Sequence, residues 1–243
     1  MKKVLLAVAA CLMFAVPAFA ADVNCATGTY NFGGVCAKPT PEQGLELLLK
    51  GNAKFVKGDM ELLKKYATPA ERVEVAGGQK PFAIVLTCSD SRLPAEIIFN
   101  KGLGEIFVVR VAGNIVAPHE LGSIEYALEH LGANLIVVLG HERCGAVSAT
   151  YGAYPNAVEG NIGSLVEDIT PAVAAVLNGQ PKAVGTTAQA AQVEECIIEN
   201  IKLVSEHLEA KSPIIKEYVE LKKAKIVRAK YDLDSGVVAV LGQ

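Results

Sequence analysis

Two short segments hold the residues best suited to chemistry: Cys88-Ser89-Asp90-Ser91-Arg92 and His141-Glu142-Arg143-Cys144. Two thiols and one imidazole are the ligand set of a catalytic zinc site of the Cys₂His type, which keeps its fourth position for water. The chemistry this implies is hydration or hydrolysis. His141 and Cys144 are three residues apart, so one strand-to-helix corner can aim both at a single ion, while Cys88 must arrive from elsewhere. Either motif alone is a weak signal and reads as an ordinary loop. Together, each directly after a buried strand and with Gly145 following Cys144, they make a specific one.

Asp90 and Arg92 share the Cys88 loop, where an Asp–Arg pair can form a charge-assisted hydrogen bond. So paired, Asp90 stays off the metal and offers a carboxylate oxygen to the water; released, it can fill the fourth position and close the site. The competing reading is a structural loop salt bridge. His119, His130 and His207 fall on helical segments and read as surface or packing residues.

The elements that must position these groups alternate along the chain. Residues 82–87, 106–111 and 135–140 read as strands; 93–99, 119–131 and 144–150 read as helices between or after them. Non-alternating apolar strands interleaved with helices predict an α/β fold with a mainly parallel sheet covered on both faces. Cys88 and His141 then stand at the carboxyl ends of two strands, where open α/β sheets place their active sites. Pro41-Glu42 opens an N-terminal helix over 41–57, and a second short helix is expected over 59–66. Long helices are expected over 163–178 and 187–208, a shorter one from Pro213 through 222, and a C-terminal hairpin from strands 225–231 and 237–241. No repeat or linker divides residues 41–243, which read as one domain. Residues 21–40 read as an irregular leader.

The 243 residues are 51% apolar with a net charge of −3, enough for a sizeable core and no case for binding nucleic acid or an anionic membrane surface. Lys2 and Lys3, an apolar run over 4–16 and Ala18-Phe19-Ala20 form a signal peptide, residues 1–20, with cleavage expected after Ala20. The expected destination is periplasmic or secreted, with no membrane insertion after cleavage. In that oxidising compartment Cys25 and Cys36, which flank a Gly-rich loop, can close a disulfide; two free thiols are the alternative. Cys196 lies in a helical pattern and reads as a buried apolar residue.

The motifs also name a family. The 88–92 and 140–145 segments, Phe107-Val108-Val109-Arg110 with Gly113-Asn114, and Glu125-Tyr126-Ala127 together resemble a β-class carbonic anhydrase, from about residue 41 to 241. The resemblance implies one Zn²⁺ per chain on Cys88, His141 and Cys144, and reversible hydration of CO₂ to bicarbonate and a proton by zinc-bound hydroxide. Asp90 would accept the hydroxide's hydrogen bond and Arg92 would orient Asp90. Gln79, nine residues before Cys88, Phe107, Tyr126 and the N–H of Gly145 would bind substrate, Phe107 and Tyr126 partly across a dimer interface. A homodimer or homotetramer is implied, with the 41–57 helix embracing a neighbour. Arg110 matches the Arg of a regulatory bicarbonate set, but Val85 stands where that set has Trp, and the chain has no Trp, so that site looks incomplete. Two alternatives use the same residues: a hydrolase acting on another heterocumulene, and a non-catalytic zinc or bicarbonate-binding protein. Asp90, Arg92 and Gln79 argue against the second, since a purely structural site needs none of them.

Overall fold

The computed structural model describes residues 29–32, 35–61 and 68–242. The expected signal segment, Cys25 and most of the expected 59–66 helix lie outside these residues. What remains of the leader is not irregular. β1 (Tyr30–Phe32) and β2 (Val35–Ala37) pair antiparallel, with Asn31 opposite Cys36. The cue is legible in the sequence: a Gly-Gly dipeptide between two short runs is a common hairpin signal. Cys36 is disulfide-bonded.

Next come α1 (Pro41–Val56), α2 (Pro69–Val75), β3 (Ala83–Thr87), α3 (Ala95–Ile98) and β4 (Ile106–Arg110). They are followed by α4 (Pro118–Glu129), β5 (Leu135–His141), α5 (Gly145–Ala153), α6 (Ile162–Leu177) and α7 (Thr186–Lys211). The chain closes with α8 (Pro213–Glu220), β6 (Lys225–Tyr231) and β7 (Val238–Leu241). The larger sheet has the order β4-β3-β5-β6-β7, parallel except for the β6–β7 hairpin. β3 and β5 are buried along their whole length, as their unbroken apolar runs require. β4 is an edge strand: Phe107 and Val108 are half-buried and Arg110 is exposed, so this strand is not enclosed as its neighbours are.

The unexpected helix α2 has a cap that the sequence did announce. Thr68 accepts a hydrogen bond from the Glu71 N–H at 3.2 Å, and Pro69 takes the first helical position. At α1, Thr40 and Gln43 cap each other reciprocally. This helix is seated on its own domain. A Cβ at Gly51 would stand 1.8 Å from the Phe99 carbonyl oxygen, and buried Asn52 donates to the Ile98 and Gly236 carbonyls.

Gly44 of α1 faces Leu135, whereas Gly140 faces Ile201 of α7. Leu135 and Gly140 have opposite parity in β5, so α1 and α7 cover opposite faces of the sheet. α5 and α6 pack on α7.

Candidate functional site

β3 and β5 are neighbours in register, with Thr87 opposite Leu139. Cys88, the residue after β3, and His141, the last residue of β5, therefore emerge side by side. The chain turns at Glu142-Arg143, with Arg143 in the left-handed region (φ 52°), and Cys144 caps α5. Donor atoms of Cys88, His141 and Cys144 all lie within 4.8 Å of one another, and the three residues are buried.

The imidazole's orientation is fixed. Its Nδ1 lies 2.8 Å from the Glu142 carbonyl oxygen, to which it can only donate, so Nε2 presents its lone pair. Among the described residues, Nε2 is buried with no hydrogen-bond partner. A buried acceptor left unpaired beside two thiols is what a metal ligand looks like without its ion, and this donor set fits zinc. Cys88 Sγ accepts the N–H groups of Gly113 at 3.3 Å and Asp90 at 3.4 Å. The hydrogen bond between the two sulfurs pulls the Cys88 thiol down and pushes Cys144 up. Two sulfurs this close favour losing a proton, and a bound ion would favour it further.

Gly113 can donate to Cys88 because it adopts φ 75° in the 3₁₀ turn over 112–114. A Cβ there would meet Ile169 at 2.6 Å. The Gly113 carbonyl accepts from Asn200 Nδ2 at 2.9 Å. Asn200 is 2% exposed on the mainly apolar inner face of α7, and its only sequence cue is that of a polar residue in a hydrophobic stripe. Gly140, one residue before His141, has Ile201 of α7 where its Cβ would be, at 2.5 Å.

Arg92 holds Asp90 with both arms: Nε donates to Oδ1 at 2.9 Å, Nη2 donates to Oδ2 at 2.7 Å, and the Arg92 N–H adds a third bond to Oδ1 at 3.0 Å. Those bonds hold the Asp90 carboxyl well below the usual carboxylate range. Asp90 Oδ2 lies 4.0 Å from His141 Nε2, so the expected dyad stands beside the metal ligands in its paired form.

Gly145 is the exposed first residue of α5, where N–H groups have no intrahelical partner. Gln79, Phe107 and Tyr126 are placed differently. Gln79 lies before β3 and Cys88 after it, and five strand residues span about 17 Å. One chain cannot bring both to one point along that strand. Phe107 and Tyr126 pack together, ring centroids 6.5 Å apart, and Tyr126 is 48% exposed. Phe107 is level with Ile84, well back from the Cys88 end. Of the other expectations, His119 and His130 are exposed, His207 is half-buried, and Cys196 is buried, which raises its thiol to about 11.

Residues 83–238 match the family model described as carbonic anhydrase. Carbonic anhydrase 2 of Mycobacterium tuberculosis (strain CDC 1551 / Oshkosh) is 36% identical over 198 residues, covering 81% of this chain and 90% of the relative. A carbonic anhydrase of Mycolicibacterium smegmatis is 36% identical over 200 residues, covering 82% and 92%. Among solved structures, a Coccomyxa β-carbonic anhydrase in complex with acetazolamide aligns with TM-score 0.60 and 27% identity, covering 81% of this chain and 86% of that one. One of two tetrameric β-carbonic anhydrases from Sordaria macrospora shares the fold at TM-score 0.64 and 24% identity, covering 82% and 97%. The site at the carboxyl ends of β3 and β5 and the extent of these matches place the chain in the β class of the carbonic anhydrase family.

Proposed function

We propose that this chain catalyses the reversible hydration of CO₂ to bicarbonate and a proton, with one Zn²⁺ held by Cys88, His141 and Cys144. The observation that carries the reading is the convergence of these donors beside a carboxylate gripped at both oxygens by arginine. When bound, the ion supplies a water acidic enough to yield a nucleophile near neutral pH. The chain's own groups do the rest. Arg92 keeps Asp90 ionised and turned, so Asp90 can only accept a hydrogen bond and therefore fixes which proton the nucleophile retains. The N–H groups of Gly113 and Asp90 stabilise the Cys88 thiolate. The Gly145 N–H is a donor for the product anion. Two thiolates offset the charge of the ion, so the water is less acidic than at a three-imidazole site, and activity rises from neutral into mildly alkaline pH.

A second copy of the chain would bring Gln79, Phe107 and Tyr126 to the pocket, which supports a homodimer or homotetramer. The expected signal peptide and the disulfide at Cys36 support export to an oxidising compartment such as the periplasm.

The test is stopped-flow CO₂ hydration by the mature protein from about pH 6.5 to about 9, with zinc measured on the same sample. Zinc-dependent hydration that climbs with pH is expected. One bound zinc without hydration at any pH would instead mean a closed, binding-only site.

A further inference from the structure

Arg110 ends β4 and pairs in register with Thr87, the last residue of β3. Its guanidinium reaches across to the loop that follows β3. Nε donates to the Cys88 carbonyl at 3.2 Å and Nη2 donates to the Asp90 carbonyl at 2.6 Å. The Asp90 carbonyl also accepts the Leu93 N–H at 3.0 Å, and the Ser89 N–H donates to the Val111 carbonyl at 3.3 Å. The 88–92 loop is thereby sewn to the end of β4, and two of the stitches come from one side chain.

A planar, rigid fork can engage two carbonyls two residues apart only when both point the same way. Here both point toward β4. In that backbone conformation the Asp90 N–H reaches Cys88 Sγ and the Asp90 carboxylate meets Arg92. An anion subsite, the role the sequence resemblance gives Arg110, is not what the geometry offers. Val85, at the matching aromatic position, is fully buried, and two arms of the guanidinium are already spent on the chain itself.

We propose that Arg110 is a positioning residue, a latch that holds the 88–92 loop in the form where Arg92 keeps Asp90 away from the metal. The inference rests on the metal site and reaction proposed above. Without the latch, the loop relaxes and Asp90 competes for the fourth position on the metal.

The test uses Arg110→Lys and Arg110→Ala in the full mature protein. Lysine keeps the positive charge but cannot engage both carbonyls as a fork. Both variants are expected to retain zinc and to lose about tenfold or more in kcat, with KM changed less. The cobalt(II)-substituted proteins are then titrated with thiocyanate and followed by visible absorption, which reads the fourth position without turnover. Anion affinity should fall about tenfold in both variants, and adding Asp90→Asn to Arg110→Lys should restore it. Wild-type kcat and anion affinity in Arg110→Lys would overturn the latch, because charge alone would then suffice. If both variants unfold or fail to bind metal, Arg110 is a structural residue of the sheet edge and the latch falls as well. A wild-type protein that binds cobalt but never hydrates CO₂ would sink the catalytic reading, while the anion titration would still decide the latch.

Discussion

The two ends of the parallel sheet are held by different kinds of force. At the carboxyl ends of β3 and β5, position is set by directed polar contacts: N–H groups on a thiolate, a carbonyl on an imidazole, two arginine forks on one loop. At the amino ends, the β1–β2 hairpin is stapled on mainly by rings, with hydrogen bonds from side chains beside them. Tyr30 stands edge-on to Phe82 at 5.4 Å, its hydroxyl hydrogen-bonds the Glu105 carboxylate, and Lys101 lies over both rings. Lys38 reaches the Gly132 carbonyl and Asn134 donates to the Pro39 carbonyl at 2.8 Å. Phe82, Glu105 and Asn134 each precede a strand, so the hairpin and the two residues after it span the starts of β3, β4 and β5. Directed bonds fix atoms to fractions of an ångström, as chemistry needs; ring packing and a disulfide mainly add stability and tolerate displacement.

Perturbing each end should therefore move different observables. His141→Ala is expected to abolish zinc binding and lower hydration about 10³-fold or more, while Cys36 remains oxidised and the melt stays cooperative; loss of cooperative melting would show the ends to be one unit. Asp90→Asn should retain zinc and lower kcat about 10²- to 10³-fold. Zinc loss in that variant would make Asp90 a structural group instead. Tyr30→Ala should lower unfolding stability by about 2 kcal/mol with kcat unchanged, as read from denaturant midpoints and initial rates. A matching fall in kcat would mean that the amino-end staple reaches the site. Asn200→Leu should weaken metal affinity about tenfold in a chelator competition, since it removes a donor behind the Cys88 thiolate at nearly constant volume.

The smallest effect concerns acid. Arg92 lowers the Asp90 pKa in the folded state below its unfolded value. The folded state thus binds the proton less readily, so the stabilisation is present above the unfolded pKa and is lost as pH falls through the folded one. Mild acid should leave the 88–92 loop intact, and Asp90→Asn should flatten the acid limb of the stability curve. The pair faces solvent, so the difference will be slight.

The same contrast explains what the sequence revealed. Each half of the metal site is a contiguous motif after a buried strand, so the ligands and the dyad could be read from spacing alone. The strands followed from unbroken apolar runs, and β6 was expected at the bounds it has. The hairpin was missed because its only local cue was Gly33-Gly34, and its partners lie some fifty to a hundred residues away. Arg110 is placed by resemblance alone, and Asn200 carries no functional signal in the sequence, for a related reason. Their roles depend on which strand end and helix face lie beside the 88–92 loop and Gly113, and no periodicity encodes that. Gln79 is placed by resemblance, nine residues before Cys88, although the strand expected over 82–87 already stands between the two.

Gly140 has a further consequence. Ile201 occupies the space its Cβ would need, so α7 rests directly on β5 one residue before His141. The backbone next to His141 is thus braced by a helix that supplies none of the three donors. Substitutions at Ile201 should therefore disturb the metal ligands beside it as well as the core it helps to fill. An engineer seeking to alter which ion this site prefers would do well to begin at Ile201 rather than among the ligands themselves.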